Sequence, residues 1–212
     1  MLYNILLQIK TINLTILDSI GEDLDDKNIT YLQNFDLIVL DFADGGYNIA
    51  SRKPTFTYAL IQYLNEGGAL FSGHDQFDDT HSRYITKQAV EMLKLLGFVH
   101  VNSHGRAGSV ASFNKKAIKN SIFLANYALY GESIPISSTH QTYSRFDESC
   151  TTCTVVMKFG GGDGPNDKEY LVTNRPNMKG KTVNIRAGHT NAFTEAEKKI
   201  FLSSILWLLY DI

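Results

Sequence analysis

The apolar residues of this chain follow two different patterns. Short continuous runs of apolar and β-branched residues are typical of buried strands, whereas apolar residues spaced three and four apart are typical of helices with one buried face. The runs predict strands at Leu14–Leu17, Asp36–Asp41, Ala69–Ser72, Phe98–Val101, Thr154–Phe159, Tyr170–Thr173 and Thr182–Arg186. The helical spacing predicts helices at Lys53–Glu66, at Thr86–Leu96 and after a capping box at Thr194–Glu197.

Predicted strands and helices alternate at both ends of the chain, and a segment richer in strands lies between them. Such alternation is typical of an α/β fold, because right-handed crossovers place helices against a parallel sheet. We therefore expect a three-layer α/β/α sandwich with a mostly parallel, flavodoxin-like sheet and a β-rich insertion, in a single domain over residues 1–212. Two segments are ambiguous: Tyr3–Ile9 fits a first strand or, slightly better, a helix, and residues 102–145 show a helix-like pattern only in one stretch.

Composition and charge limit the partners of the chain. With 43% hydrophobic and 20% charged residues among 212, it has the composition of a globular protein and the length for a well-buried core. The formal net charge of −2 argues against nucleic acid or an anionic membrane surface as a partner. No apolar run approaches the roughly 20 residues that span a bilayer, and the N-terminus lacks the features of a signal peptide. We therefore expect a cytoplasmic protein.

The two cysteines, Cys150 and Cys153, form a C-x-x-C pair. Such a pair is typical of a redox motif or of half a zinc site. A structural zinc ion needs four ligands, and the sequence holds no second pair of cysteines. A redox pair usually begins a helix, where the thiolate is stabilised, whereas Cys153 opens a predicted strand. We therefore expect two reduced thiols without a special role.

Candidate site residues collect where predicted strands end. In open α/β sheets the carboxyl ends of the strands form the site, and Ala69–Ser72 ends in a sharp polar turn. The candidate ligand-binding residues follow the ends of several predicted strands; they are Asp41, Asp44, Gly73, Asp75, His104 and Arg106. The aspartates suit a hydroxylated ligand, and Arg106 suits a carboxylate or phosphate. We expect a small polar molecule, such as a sugar, as the ligand.

Two segments of the sequence resemble a known family. Gly67 to His74 reads GGALFSGH, and residues 182–209 read TVNIRAGHTNAFTEAEKKIFLSSILWLL. Together with the DLIVLD strand, they resemble the class I glutamine amidotransferase-like superfamily. The likeness is stronger to its ThuA-like branch, in which G-G-G-x-x-x-x-H replaces the cysteine elbow and G-H precedes the last helix. The resemblance implies that Gly73-His74 occupies the elbow and that His189 occupies the position of the catalytic histidine.

The chain departs from the amidotransferase pattern at the nucleophile. That position falls on Phe71 or Ser72, and Asn191 stands where a glutamate would orient His189. Without a thiol no covalent thioester forms, so we do not expect glutaminase activity. Ser72 is an alternative nucleophile, and His74 and His189 are the other candidate catalytic residues.

Two residues weaken the case for Ser72. A hydrolase elbow requires glycine two residues before and after its serine, and this chain has Leu70 and His74 there. Metal binding is a further alternative, with His74, Asp75, Asp78, Asp79 and His81 as the ligands, but an acidic turn before a helix also serves as a cap. We expect no metal and no cofactor.

Two functions of different classes remain open. The first is a non-catalytic amidotransferase-like domain that binds a small polar ligand or a protein partner in the former active-site cleft. The alternative is a carbohydrate-related hydrolase, isomerase or oxidoreductase, with or without a metal, that uses His74 and His189. The apolar C-terminal helix with Trp207 and Leu208 fits either core packing or a homo-oligomer interface.

Overall fold

The computed structural model describes residues 13, 15, 24, 27–40, 53–73, 77, 85–104, 109–114, 133–137, 142–160, 168–187 and 193–210. The helices in these ranges are α1 (Ile29–Leu32), α2 (Pro54–Asn65), α3 (Lys87–Leu96) and α4 (Glu195–Tyr210), with a 3₁₀ turn at Pro176–Met178. The strands are β1 (Ile38–Leu40), β2 (Ala69–Ser72), β3 (Phe98–His104), β4 (Val110–Phe113), β5 (Ser133–Pro135), β6 (Thr142–Phe146), β7 (Cys153–Phe159), β8 (Glu169–Asn174) and β9 (Lys181–Ile185).

Segments with clear local signals form the predicted elements. β1 lies inside the predicted strand Asp36–Asp41, β2 matches its prediction, and α2 fills the predicted helix Lys53–Glu66. The Thr86 side chain accepts a hydrogen bond from the Ala89 N–H at 3.1 Å and so begins α3. Gly97 ends the same helix with a φ of 87°, a conformation that favours glycine.

Seven strands form one mixed sheet in the order β1-β2-β9-β8-β7-β4-β5. The pairs β1–β2 and β2–β9 are parallel, and the remaining pairs are antiparallel. The α/β class is confirmed, but the prediction of a mostly parallel, flavodoxin-like sheet is wrong. The β-rich middle of the chain extends the same sheet, and successive strands joined by short connections pair antiparallel. The three-layer sandwich stays a prediction.

Strands β3 and β6 form a separate two-stranded antiparallel sheet, here called the ribbon. Phe98 pairs with Phe146 at one end and His104 pairs with Thr142 at the other. The sequence predicted only Phe98–Val101 as a strand and placed His104 in a loop at the edge of the main sheet. That placement is wrong, because β3 continues to His104 and pairs outside the main sheet.

Cys150 and Cys153 are joined by a disulfide in the segment between β6 and β7. The expectation of two reduced thiols is therefore wrong. Helix context governs the stability of a thiolate, whereas disulfide formation depends on the distance between the two residues. The two Cα atoms lie 5.5 Å apart, well within the separation that a disulfide spans.

Several predictions fall elsewhere in the chain. Tyr3–Ile9, most of Leu14–Leu17 and the helix-like stretch at 115–129 lie outside the described residues. In the part that is described, no helix is long and apolar enough to cross a membrane.

Neighbouring side chains of the central strands enter different hydrophobic clusters. Leu70 belongs to the cluster that contains Leu60 of α2 and Met92 of α3. Phe71 belongs to the cluster that contains Phe201 of α4, and the two rings meet edge to face at 6.0 Å. Strand alternation therefore lets β2 contribute to both clusters, and all four of its residues are buried.

The Glu197 carboxylate is fully buried on α4 and accepts four hydrogen bonds. One oxygen accepts from the Tyr170 and Ser137 hydroxyls, both at 2.8 Å. The other accepts from the Ser137 and Thr194 N–H groups at 2.9 and 2.8 Å. The Thr194 hydroxyl accepts from the Glu197 N–H at 3.1 Å, which confirms the predicted capping box. One carboxylate thus joins α4, β8 and the exit of β5.

We expect Glu197→Gln to destabilise the fold by about 3 kcal/mol, because an amide turns an N–H₂ group towards donors and leaves them unpaired in the interior. Urea unfolding followed by circular dichroism measures the difference. The matched control is Glu195→Gln, since Glu195 lies in the same first turn and makes an exposed pair with Lys198. We expect that control to leave the urea midpoint unchanged, because an exposed pair contributes little to stability. Equal effects would contradict the role of Glu197.

Burial, followed by the nearby Glu197 carboxylate, raises the pKa of Tyr170 well above its usual value of 10.0. The phenol therefore contributes stability that is fully present below pH about 10 and falls as pH rises towards the folded-state pKa, because the unfolded state deprotonates first. Tyr170→Phe should be less stable than the wild type at pH 9, and the gap should narrow by about 1 kcal/mol by pH 11. Tyr210→Phe, which removes an exposed phenol, is the control in urea unfolding at both pH values. A constant gap would refute the coupling.

Candidate functional site

The candidate site lies where β2 and β9 end side by side. These strands are parallel and in register, with Ser72 opposite Asn184, so their carboxyl ends reach the same edge of the sheet. The Asn184 side-chain amide donates to the Ser72 hydroxyl oxygen at 2.9 Å and to the Gly73 carbonyl at 3.2 Å. Both bonds are buried, and Asn184 is only 7% exposed. Asn184 therefore ties the turn after β2 to the neighbouring strand.

The side-chain oxygen of Asn184, Oδ1, has no hydrogen-bond partner. Three buried side-chain polar atoms of the described residues lack a hydrogen bond: His100 Nδ1, Asn184 Oδ1 and Ser204 Oγ. Ser204 lies within α4 and His100 on the ribbon, so only Asn184 belongs to the carboxyl edge of the parallel strands. An unpaired buried acceptor costs about 1–3 kcal/mol, and in native proteins such an atom calls for an explanation.

Ser72 is poorly placed to act as a nucleophile. The residue is fully buried, and its hydroxyl oxygen accepts the Asn184 amide hydrogen. A serine nucleophile needs an exposed oxygen and a base within hydrogen-bond reach. The burial and the amide partner instead fit a polar residue that ends a buried strand.

A buried ion pair lies next to this edge. Arg186, two residues after Asn184, donates to Glu169 Oε1 at 3.3 Å and to the Ser144 carbonyl at 3.2 Å. Its guanidinium carbon lies 4.2 Å from the centroid of the Phe98 ring. Arg186 thus holds the ribbon against β8 and β9, and Glu169 balances its charge. Among the described groups, the edge offers neutral hydrogen-bonding atoms rather than an unbalanced positive charge.

The structure places only part of the predicted site. Ser72 and Gly73 lie at the edge as expected, and His104 ends the ribbon strand β3. The other predicted residues lie outside the described ranges: Asp41, Asp44, His74, Asp75, Arg106 and His189. Their roles stay predictions. No group of three or more potential metal ligands occurs among the residues that the structure describes.

Sequence reasoning missed Asn184. It treated TVNIR as an ordinary buried strand, although Asn is uncommon inside strands and rarely lies unpaired in a core. A polar amide in an otherwise apolar strand, near the end that carries the site, was the available signal.

Three solved structures share most of this fold. A protein of Bacteroides uniformis described as ThuA-like matches with a TM-score of 0.64 at 12% identity, over 97% of this chain and 82% of that chain. A ThuA-like protein of Parabacteroides merdae gives 0.63 at 13%, over 99% and 83%. A cytoplasmic protein of Salmonella typhimurium gives 0.64 at 14%, over 98% and 83%. Two of these three neighbours are described as ThuA-like. At these identities the match establishes the fold alone.

Sequence comparison adds nothing to the match in structure. No protein-family model matches the chain, and no curated protein matches it significantly. The resemblance seen in the sequence motifs is therefore supported by the fold of ThuA-like proteins, and the function depends on the site itself.

We expect Ser72 to resist a fluorophosphonate probe that labels activated serines, because its hydroxyl is buried and hydrogen-bonded to Asn184. Intact-mass spectrometry of the folded protein should show no adduct under conditions in which chymotrypsin reacts completely. An adduct on the wild type that disappears in Ser72→Ala would refute this prediction and make Ser72 a nucleophile.

Proposed function

We propose that this chain is a non-catalytic, amidotransferase-like domain that binds a small, neutral, polar ligand at the carboxyl edge of β2 and β9. The observation that carries the proposal is the buried Oδ1 atom of Asn184, which has no hydrogen-bond partner. The atom is a hydrogen-bond acceptor next to Ser72 and Gly73, at the edge where open α/β sheets bind ligands. Because the atom is buried, a ligand reaches it only when this edge opens.

The chemistry of the described atoms favours a ligand that donates hydrogen bonds. Asn184 Oδ1 can only accept, so its partner must carry a hydroxyl or an N–H group. Arg186 is paired with Glu169, which argues against an anion as the required ligand. A hydroxylated molecule such as a sugar combines these properties.

Two features support a binding role rather than catalysis. Neither Phe71 nor Ser72, the residues that align with the nucleophile of the family, is a cysteine, and both are fully buried. In addition, the Asn184 amide uses both of its hydrogens to hold Ser72 and Gly73 in place. Such an arrangement fixes the turn and leaves no activated nucleophile there. Cytoplasmic location and self-association stay predictions from the sequence.

We expect Asn184→Ala to weaken ligand binding at least tenfold, because the ligand loses one buried hydrogen bond. The full chain is screened by isothermal titration calorimetry against neutral sugars and polyols, with sugar phosphates and amino sugars as charged comparisons. Asn114→Ala is the matched control, since Asn114 also donates its amide to a strand carbonyl, that of Val155, at 2.8 Å. The control should bind within about twofold of the wild type.

Two outcomes would count against the proposal. If neutral compounds bind equally well to the wild type and to a folded Asn184→Ala variant, the ligand does not use this atom. If instead a sugar is turned over, and His74→Ala and His189→Ala abolish the turnover, the chain is an enzyme. Circular dichroism of each variant separates either result from misfolding.

A further inference from the structure

The Cys150–Cys153 disulfide lies at the root of the ribbon. Residues 147–152 connect the ribbon strand β6 to strand β7 of the main sheet, and the disulfide closes the end of this connection. The ribbon's other strand begins at Phe98, directly after Gly97. The Asp147 N–H donates to the Gly97 carbonyl at 2.9 Å, so the start of β3 and the end of β6 lie in one small region.

Cys153 packs tightly against that region. A Cβ atom built on Gly97 would lie 2.6 Å from the Cys153 sulfur, so glycine is required there for space as well as for its positive φ. Cys153 also pairs in register with Asn174. The Asn174 amide donates to the Leu95 carbonyl at 2.8 Å and accepts from the Thr152 hydroxyl at 2.7 Å. The Asn174 side chain therefore links Thr152 of the disulfide segment to the last turn of α3.

Both cysteines are half-buried, but their surroundings differ. Cys153 packs against a hydrophobic cluster, whereas Cys150 follows exposed residues of the turn. Thr151 and Thr152, between the cysteines, are both exposed. A small thiol can therefore approach Cys150 from solvent.

We infer that Cys150–Cys153 is a reversible thiol–disulfide exchange site that fastens the root of the ribbon in its oxidised form. Its co-reactant is a small monothiol or dithiol. The inference goes beyond ligand binding and uses residues that the candidate site does not.

The exchange balances as a two-electron reaction. The thiolate of the small thiol attacks Cys150 Sγ, the S–S bond breaks, and its electron pair leaves on Cys153 Sγ, which takes a proton from solvent. The thiolate of a second small thiol attacks the sulfur of the first, and the bond to Cys150 breaks with its electron pair leaving on Cys150 Sγ, which takes a proton from solvent. The products are a small-molecule disulfide and the Cys150 thiol.

Opening the disulfide frees the connection between the two sheets. The ribbon is then held by the Asp147–Gly97 bond, by the Phe146 N–H bond to Glu169 and by the contacts of Arg186 with Ser144 and Phe98. Phe98 and Phe146 also pack in a hydrophobic cluster.

Hydrogen–deuterium exchange of the full-length wild type, compared between its oxidised and dithiothreitol-reduced forms, tests the inference. The two cysteines are the only ones in the chain, so any thiol dependence must come from this pair. Amides of β3 and β6 should exchange on the order of tenfold faster after reduction, because the cross-link no longer restricts local opening. Amides of β2 and β9 should be unchanged. Alkylation and mass spectrometry report how many thiols each form carries.

The double variant Cys150→Ser/Cys153→Ser controls for effects of the reductant. It should show the faster exchange of the ribbon both with and without dithiothreitol. The inference is overturned if the air-oxidised wild type alkylates at both cysteines, which means that no disulfide forms. It is also overturned if oxidised and reduced wild type exchange alike in the ribbon. Neither result affects the ligand-binding proposal, which is measured separately on Asn184.

Discussion

The buried carboxylate of Glu197 is the constraint on which the position of the C-terminal helix depends. An ionised group in the interior is tolerated only when its oxygens are fully hydrogen-bonded, and the donors here come from Ser137, Tyr170 and Thr194. These residues belong to different parts of the chain, so the carboxylate is satisfied only when all of them meet. α4 is apolar around most of its circumference, and a hydrophobic pattern of that kind does not specify one rotation about its axis. The polar network selects the rotation.

A second polar link, Arg186–Glu169, plays the corresponding role for the ribbon. Separating a buried ion pair leaves each charge buried without its partner, which is unfavourable. The pair therefore resists separation even where its net contribution to stability is small. Arg186 extends the link beyond Glu169, because its guanidinium also stacks on Phe98 and donates to the Ser144 carbonyl. The main sheet and the ribbon are therefore joined by a directional contact as well as by hydrophobic packing. The disulfide lies in the segment that leads from the ribbon to β7.

Local signals predicted the elements but not how they pair. β2 and α3 could be located because Gly67-Gly68, Thr86 and Gly97 mark their ends. Each of these residues determines the backbone conformation only of its near neighbours in the sequence. The choice of partner for β3 is different in kind, since it depends on β6, more than forty positions away in the chain by the pairing of Phe98 with Phe146. No period or cap reports such a contact. The same limit applies to the disulfide, whose formation depends on the backbone path between Cys150 and Cys153.

Asn184 differs in its hydrogen bonding from the polar residues on either side of it along β9. Thr182, Asn184 and Arg186 stand at every second position, so they share one face of the strand. Thr182 donates to the Leu95 carbonyl, and Arg186 pairs with Glu169, so the polar groups on either side have partners. Asn184 alone of the three keeps a buried atom without one. An apolar residue of similar size would avoid that cost, and the amide's own contribution is to fix the turn after Ser72. A ligand that donates a hydrogen bond to Oδ1 would give this atom the partner that the polar groups of Thr182 and Arg186 already have.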